Sequence, residues 1–138
     1  MLWYQKILLL WKRKEAAMNP IRLPEKEVME ILSRLHGIIN RDDPASEKII
    51  IIHRLNDDYF KVAKTQDQLG FSLYDVLSEL GRLTYANYHN SVLTNHGDHL
   101  HSFIKKIEQR DVYMEFPIRF SLINEREVVA LYSFHENE

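Results

Sequence analysis

The chain of 138 residues contains no cysteine, which excludes disulfide bonds and cysteine-ligated metal centres. Glycine is also scarce, and the four glycines are scattered along the chain, so there is no glycine-rich loop of the kind that cradles phosphates. No apolar run is long enough to cross a bilayer. These absences predict a cytoplasmic protein without a membrane span.

Composition predicts a packed core, because 45% of the residues are hydrophobic and 28% are charged. The length fits one domain. Charge is uneven, since residues 1–17 hold four basic side chains against Glu15, and the rest of the chain is acidic. An acidic body has no general attraction to phosphate backbones or anionic lipid, so a nucleic-acid partner is possible but not favoured.

Residues 1–17 are interpreted separately from the rest of the chain. The segment Lys14-Glu15-Ala16-Ala17-Met18 can be encoded by a bacterial ribosome-binding sequence followed by a start codon. We therefore predict a bacterial chain in which residues 1–17 are a non-native leader and 18–138 form a single α+β domain. Two alternatives stay open: an interfacial helix with Trp3 and Trp11 on one face, or a packed terminal helix.

Periodicity predicts the α+β class, with three to four helices followed by a hairpin. The predicted helices are at about 24–40, 58–69, 72–90 and 98–110. Alternating apolar residues predict a C-terminal antiparallel hairpin of strands 112–123 and 127–135. The β-branched run at 49–52 favours a short strand within 48–55, with a helix as the alternative.

Two local signals mark the boundary between the second and third predicted helices. Gly70 is suited to the left-handed residue that ends a helix. Ser72 with Asp75 three residues later is typical of a capping box.

Histidine is concentrated in one segment, with four of the seven between residues 89 and 101. Imidazole and carboxylate are common metal ligands, which makes four residues the candidate metal site: His96, Asp98, His99 and His101. A helix over 98–110 would place His99 and His101 on opposite flanks, which argues against joint chelation and favours solvated histidines. No thiol or Gly-x-Ser-x-Gly turn is present, so no cofactor is predicted and an enzyme is not favoured.

The hairpin supplies the candidate interaction surface. Uniform alternation sends Phe116, Ile118 and Phe120 inward and leaves apolar side chains on the outer face, beside a strand edge opened by Pro117. Exposed apolar residues at an open edge indicate a protein contact, unless a helix or the leader covers them. The candidate interaction residues are Tyr113, Arg119, Val129 and Leu131.

The leading hypothesis is a small intracellular regulatory or binding protein that acts through protein contacts, with a protein partner or a second copy of itself. The segment 58–88 resembles a helix-turn-helix around Leu69-Gly70-Phe71-Ser72, and the hairpin resembles its wing. That resemblance implies the alternative of a winged-helix-like nucleic-acid-binding regulator, although Gln66 and Glu79 depart from the usual pattern. A histidine-based metal-dependent enzyme is the second alternative.

Overall fold

The computed structural model describes residues 20–52, 66, 69–94 and 97–136, and within them it has the α+β class. Two α-helices are present there, α1 (Glu25–Ile39) and α2 (Leu73–Gly81). The described ranges also contain seven strands: β1 (Ile49–Ile51), β2 (Tyr88–Leu93), β3 (His99–Ile107), β4 (Arg110–Phe116), β5 (Ile118–Ser121), β6 (Arg126–Leu131) and β7 (Ser133–Glu136). The predicted class is confirmed, while three to four helices is an overestimate.

The first helix is confirmed within one residue at each end. Pro24 precedes it, and Glu25 and Glu27 occupy the first turn, where the helix dipole favours acids. One stripe of the helix is buried in the main core, consisting of Val28, Leu32, Leu35 and Ile38.

Helix α2 begins as the sequence predicts. Ser72 N–H donates to Asp75 Oδ2 at 2.8 Å and Asp75 N–H donates to Ser72 Oγ at 3.3 Å, which confirms the capping box. Gly70 has the expected left-handed conformation, with φ of +68°. The predicted extension of this helix to residue 90 is wrong, since a short 3₁₀ turn and β2 follow α2. Most of the helix predicted at 58–69 lies outside the described residues.

The helix predicted at 98–110 is wrong, because these residues form β3. The apolar residues of this segment form two pairs whose members are four residues apart. Residues four apart lie on the same side of a helix and also on the same face of a strand. Phe103 and Ile107 lie on one face of the strand, and Leu100 and Ile104 lie on the other. Two interleaved strand faces therefore imitate one helical stripe. The first half of β3 is buried on both faces, since residues 100–103 are all buried.

The C-terminal hairpin is confirmed, and it belongs to two sheets. Strands β4 and β7, which are farther from the turn of the hairpin, belong to the four-stranded antiparallel sheet β2-β3-β4-β7. Strands β5 and β6, which flank the turn, belong to the three-stranded sheet β1-β6-β5. Strand β1 is parallel to β6, and it falls within the predicted strand at 48–55. Pro117 lies where β4 stops pairing with β3, so its missing N–H costs that ladder nothing.

The predicted outward orientation of Val129 and Leu131 is wrong. Between the pairs Glu115–Ser133 and Ile118–Val129, the returning strand contains one more residue than the outgoing strand. This bulge at Tyr132 reverses which alternate residues face the core, because a one-residue shift turns every side chain to the other face. Val129 and Leu131 are fully buried in the main core as a result.

Both faces of β6 are covered. The main core lies between α1, α2 and the sheets, while a second, smaller cluster contains Leu100, Ala130 and Tyr132. A strand buried on both faces loses the alternation that would reveal its orientation from sequence. None of the described helices has the length and apolar character required to cross a membrane.

Candidate functional site

A polar cleft lies between α1 and β3, and we refer to it as the α1–β3 cleft. Its volume is about 430 Å³. Helix α1 contributes Glu27, Glu30 and Arg34, which are spaced by three and four residues and therefore share one helix face. The start of β3 and the residue before it contribute Asp98, His99 and His101. Three apolar side chains complete the lining: Leu23, Ile31 and Ile118.

A chain of hydrogen bonds connects His101 to the backbone that precedes α1. Leu23 N–H donates to Tyr88 Oη at 3.1 Å. The Tyr88 hydroxyl is 2.8 Å from Ser91 Oγ, and Ser91 Oγ is 2.9 Å from His101 Nδ1. Ser91 and His101 are directly opposite each other on β2 and β3, so strand register sets this geometry.

The direction of the chain follows from donor counting. Tyr88 Oη accepts from Leu23, and the Tyr88 O–H donates to Ser91 Oγ, which leaves the Ser91 O–H to donate to His101 Nδ1. If His101 Nδ1–H donated to Ser91 and the Ser91 O–H donated to Tyr88, the hydroxyl hydrogen of Tyr88 would have no acceptor among these groups. Donor counting therefore favours the His101 tautomer with its proton on Nε2.

Burial keeps His101 neutral. Only 8% of the residue is exposed. Its desolvation, together with the nearby His99 and Arg34, lowers the pKa of the imidazole to about 4, although Asp98 acts in the opposite direction. At neutral pH His101 thus offers an uncharged N–H donor and is a poor proton acceptor.

Asp98 and Arg119 form an ion pair at one end of the cleft. Arg119 Nε is 2.9 Å from Asp98 Oδ2, and Arg119 Nη2 is 3.3 Å from Oδ1. Thr94 also donates to this carboxylate. Burial acts to raise the pKa of Asp98, but the hydrogen bonds from Arg119 and Thr94 outweigh it and hold the pKa below its ordinary value. The pair closes the β2–β3 turn onto β5.

The predicted metal residues are brought together only in part. His99 and His101 lie on the same face of β3 with ring centroids 6.2 Å apart, so the helical argument against their proximity does not apply. Asp98 is held by Arg119, and His96 lies outside the described residues. Across the described ranges, no group of three or more histidine or carboxylate side chains is arranged to hold a metal ion.

The predicted interaction residues are separated by the fold. Tyr113 is half-buried, and its hydroxyl donates to Glu115 Oε2 at 2.8 Å. Arg119 is half-buried in its ion pair and lies 5.1 Å from the centre of the Tyr132 ring. Val129 and Leu131 are in the core, where no partner protein can reach them.

A different apolar surface is exposed, and we define the hairpin tip as Phe120, Leu122 and Ile123. Their exposed fractions are 61%, 87% and 93%. Sequence reasoning missed this surface because uniform alternation sends Phe120 inward and places Leu122 within a half-buried strand. The available signal is that Leu122 and Ile123 directly precede the polar turn at Asn124 and Glu125, where a short turn has no core to cover them.

Comparison with protein-family models, with curated proteins and with solved structures finds no match to this chain. The functional argument therefore depends on the geometry of the cleft and of the hairpin tip.

Proposed function

We propose that this chain is a small regulatory or binding protein that acts through protein contacts, and that the hairpin tip is its contact surface. The supporting observation is the exposure of two adjacent aliphatic side chains, Leu122 and Ile123, beside the exposed ring of Phe120. Exposing clustered apolar side chains to water costs free energy, and a partner that covers them recovers this cost. Isolated exposed apolar residues would carry no such argument.

The strand that leads to the tip offers a second attachment. In the part of the chain that the structure describes, β5 is hydrogen-bonded to β6 and forms the edge of its sheet. An edge strand presents backbone donors and acceptors that an extended segment of another protein can pair with. The partner would thus add a strand along β5 while its apolar side chains cover the tip.

Ion pairs at the base of the tip hold it in place. Arg126, the first residue of β6, has its Nη1 atom 2.7 Å from Asp43 Oδ2, and Arg41 Nε is 2.9 Å from the same oxygen. The hydrogen bond from Arg126, with the charge of Arg41, lowers the pKa of Asp43. A fixed base reduces the conformational entropy that the tip would lose on binding.

Site-specific photo-crosslinking tests this proposal. Benzoylphenylalanine is introduced at Leu122 and the protein is irradiated in cells of its source organism. We expect a discrete adduct of constant mass, either with another protein or with a second copy of the chain. The matched control is the same probe at Tyr74, another large exposed side chain (74% exposed), located on α2.

Two results would contradict the proposal. One is the absence of any discrete adduct from position 122. The other is the same adducts from positions 122 and 74, since that outcome would indicate random collision and not a defined surface.

A further inference from the structure

The α1–β3 cleft has an excess of negative charge. Asp98 is neutralised by Arg119, and Arg34 is neutralised by Glu127. Glu27 and Glu30 also line the cleft, one turn apart on α1, and no ion pair or hydrogen bond within the described residues engages either carboxylate. These two carboxylates therefore leave the cleft suited to a cation.

A buried donor faces the same space. His101 Nδ1 is occupied by Ser91, and the side chain is more than nine-tenths buried while still lining the cleft. The Nε2–H of His101 has no hydrogen-bond partner among the described residues. This nitrogen is also not fully enclosed by protein atoms, unlike the unpaired Nε2 of His36. An acceptor atom of a ligand in the cleft could therefore receive this N–H.

We propose that the α1–β3 cleft binds a small organic ammonium compound that carries a hydrogen-bond acceptor such as a hydroxyl or amide oxygen. The ammonium group lies against Glu27 and Glu30, and the acceptor receives the Nε2–H of His101. The apolar walls of Leu23 and Ile118 contact the carbon chain between the two groups. This site shares no residue with the hairpin tip, so either proposal can fail without the other.

The dimensions favour an organic cation over a bare metal ion. A volume of about 430 Å³ is within the range of small-molecule sites. A metal ion needs several donors about 2 Å from one point, and the described residues contain no such group of three.

Titration of the full-length protein with defined probes tests the proposal. The probes are ethanolamine, glycinamide and aminocaproamide, and each has a neutral counterpart in which hydroxyl replaces the amino group. Binding is followed by the imidazole ¹⁵N resonances of the histidines. We expect saturable binding of at least one amine with a shift of the His101 Nε2 resonance, and binding of its neutral counterpart at least about tenfold weaker.

Variants of α1 locate the cation. Glu27→Gln combined with Glu30→Gln should weaken amine binding by at least about tenfold, because it removes both free carboxylates. The control is Glu25→Gln, which removes one carboxylate charge from the first turn of α1 without lining the cleft, and each single variant, Glu27→Gln and Glu30→Gln, is compared with it. All three positions are exposed, so melting temperatures should stay close to wild type.

Several outcomes would overturn the assignment. Failure of every amine to saturate, or equal affinity for the neutral counterparts, would exclude an ammonium site. Undiminished binding by the double variant would place the cation elsewhere. Saturable binding of zinc or manganese that shifts both His99 and His101 and displaces the amine would reassign the cleft to a metal.

Discussion

Asp98 and Arg119 form a two-bond ion pair that connects the β2–β3 turn to β5, with distances of 2.9 and 3.3 Å. The sequence suggests a metal ligand at the first position and an interaction residue at the second. In the folded chain each instead satisfies the charge of the other. This pairing explains why Asp98 does not add to the free negative charge of the cleft.

The coupling between Asp98 and Arg119 can be measured by a double-mutant cycle. We expect Asp98→Asn and Arg119→Gln to show a coupling energy of about 1 kcal/mol in urea unfolding, because both groups are partly exposed. The comparison pair is Arg110 and Glu136, which are 4.0 Å apart and more exposed. Its coupling energy should be near zero, and equal couplings for the two pairs would contradict the special role of the two-bond geometry.

His101 should make the protein sensitive to mild acid. Burial first, and then His99 and Arg34, lower its pKa from the ordinary value of 6.5 to about 4, so the unfolded chain takes up a proton in this interval while the folded chain does not. The free energy of unfolding therefore falls as pH decreases from about 6.5 to about 4, by about 3 kcal/mol. Above pH 6.5 this group contributes no slope.

Urea unfolding at a series of pH values checks the expectation. His101→Gln should remove the part of the slope that His101 contributes and leave only the slope that Asp43 and Asp98 cause near pH 4. The variant also lowers stability at neutral pH through the altered contact with Ser91. Replacement of the exposed His89 by glutamine is the control and should keep the wild-type slope. An unchanged slope in His101→Gln would show that another group is responsible.

Leu131 and Leu122 should respond in opposite ways to truncation. Leu131→Ala should cost about 2–5 kcal/mol, because the side chain is fully buried and a cavity remains. Leu122→Ala should change stability by less than about 0.5 kcal/mol, because Leu122 is 87% exposed. Circular dichroism melting of both variants decides the matter, and similar losses would contradict the buried orientation of Leu131.

The sequence predicts the elements that have strong local signals. Helix α1 and the capping box of Ser72 and Asp75 depend on residues only a few positions apart, and both are confirmed. Strand β3 has no such signal, because its pairing partners are in β2 and β4. Pairing with the two neighbouring strands outweighs the helix-like periodicity there.

The candidate site is less predictable for the same reason. The histidine segment is visible in the sequence, but its position opposite Glu27 and Glu30 arises from packing between distant elements. The orientation of Leu131 depends on a bulge at Tyr132, and a bulge of one residue has no composition signal in a strand that is buried on both faces. The sequence shows which residues can take part in binding or catalysis, but only the folded structure shows which residues lie next to them.

Glu79 provides the last prediction, because it is a nearly buried carboxylate on α2 with two cationic partners. Its Oε2 is 2.7 Å from Lys105 Nζ and its Oε1 is 3.0 Å from Arg82 Nη1. The side chain of Lys105 is 21% exposed and that of Arg82 is 65% exposed, so the lysine is the better-shielded partner. We expect Lys105→Met to cost about 1–3 kcal/mol, since it leaves a buried carboxylate poorly compensated.

The variant Arg82→Met should cost less than about 1 kcal/mol, because solvent screens that pair. Combining Lys105→Met with Glu79→Leu should recover most of the loss, since replacing both members of a buried pair by apolar residues removes the unpaired charge. Urea unfolding of the three variants at neutral pH measures these differences. If Arg82→Met costs as much as Lys105→Met, the exposed fraction of each cation does not determine how much it stabilises the fold. If the double variant is no more stable than Lys105→Met, the loss arises from packing of the lysine stem and not from the stranded carboxylate.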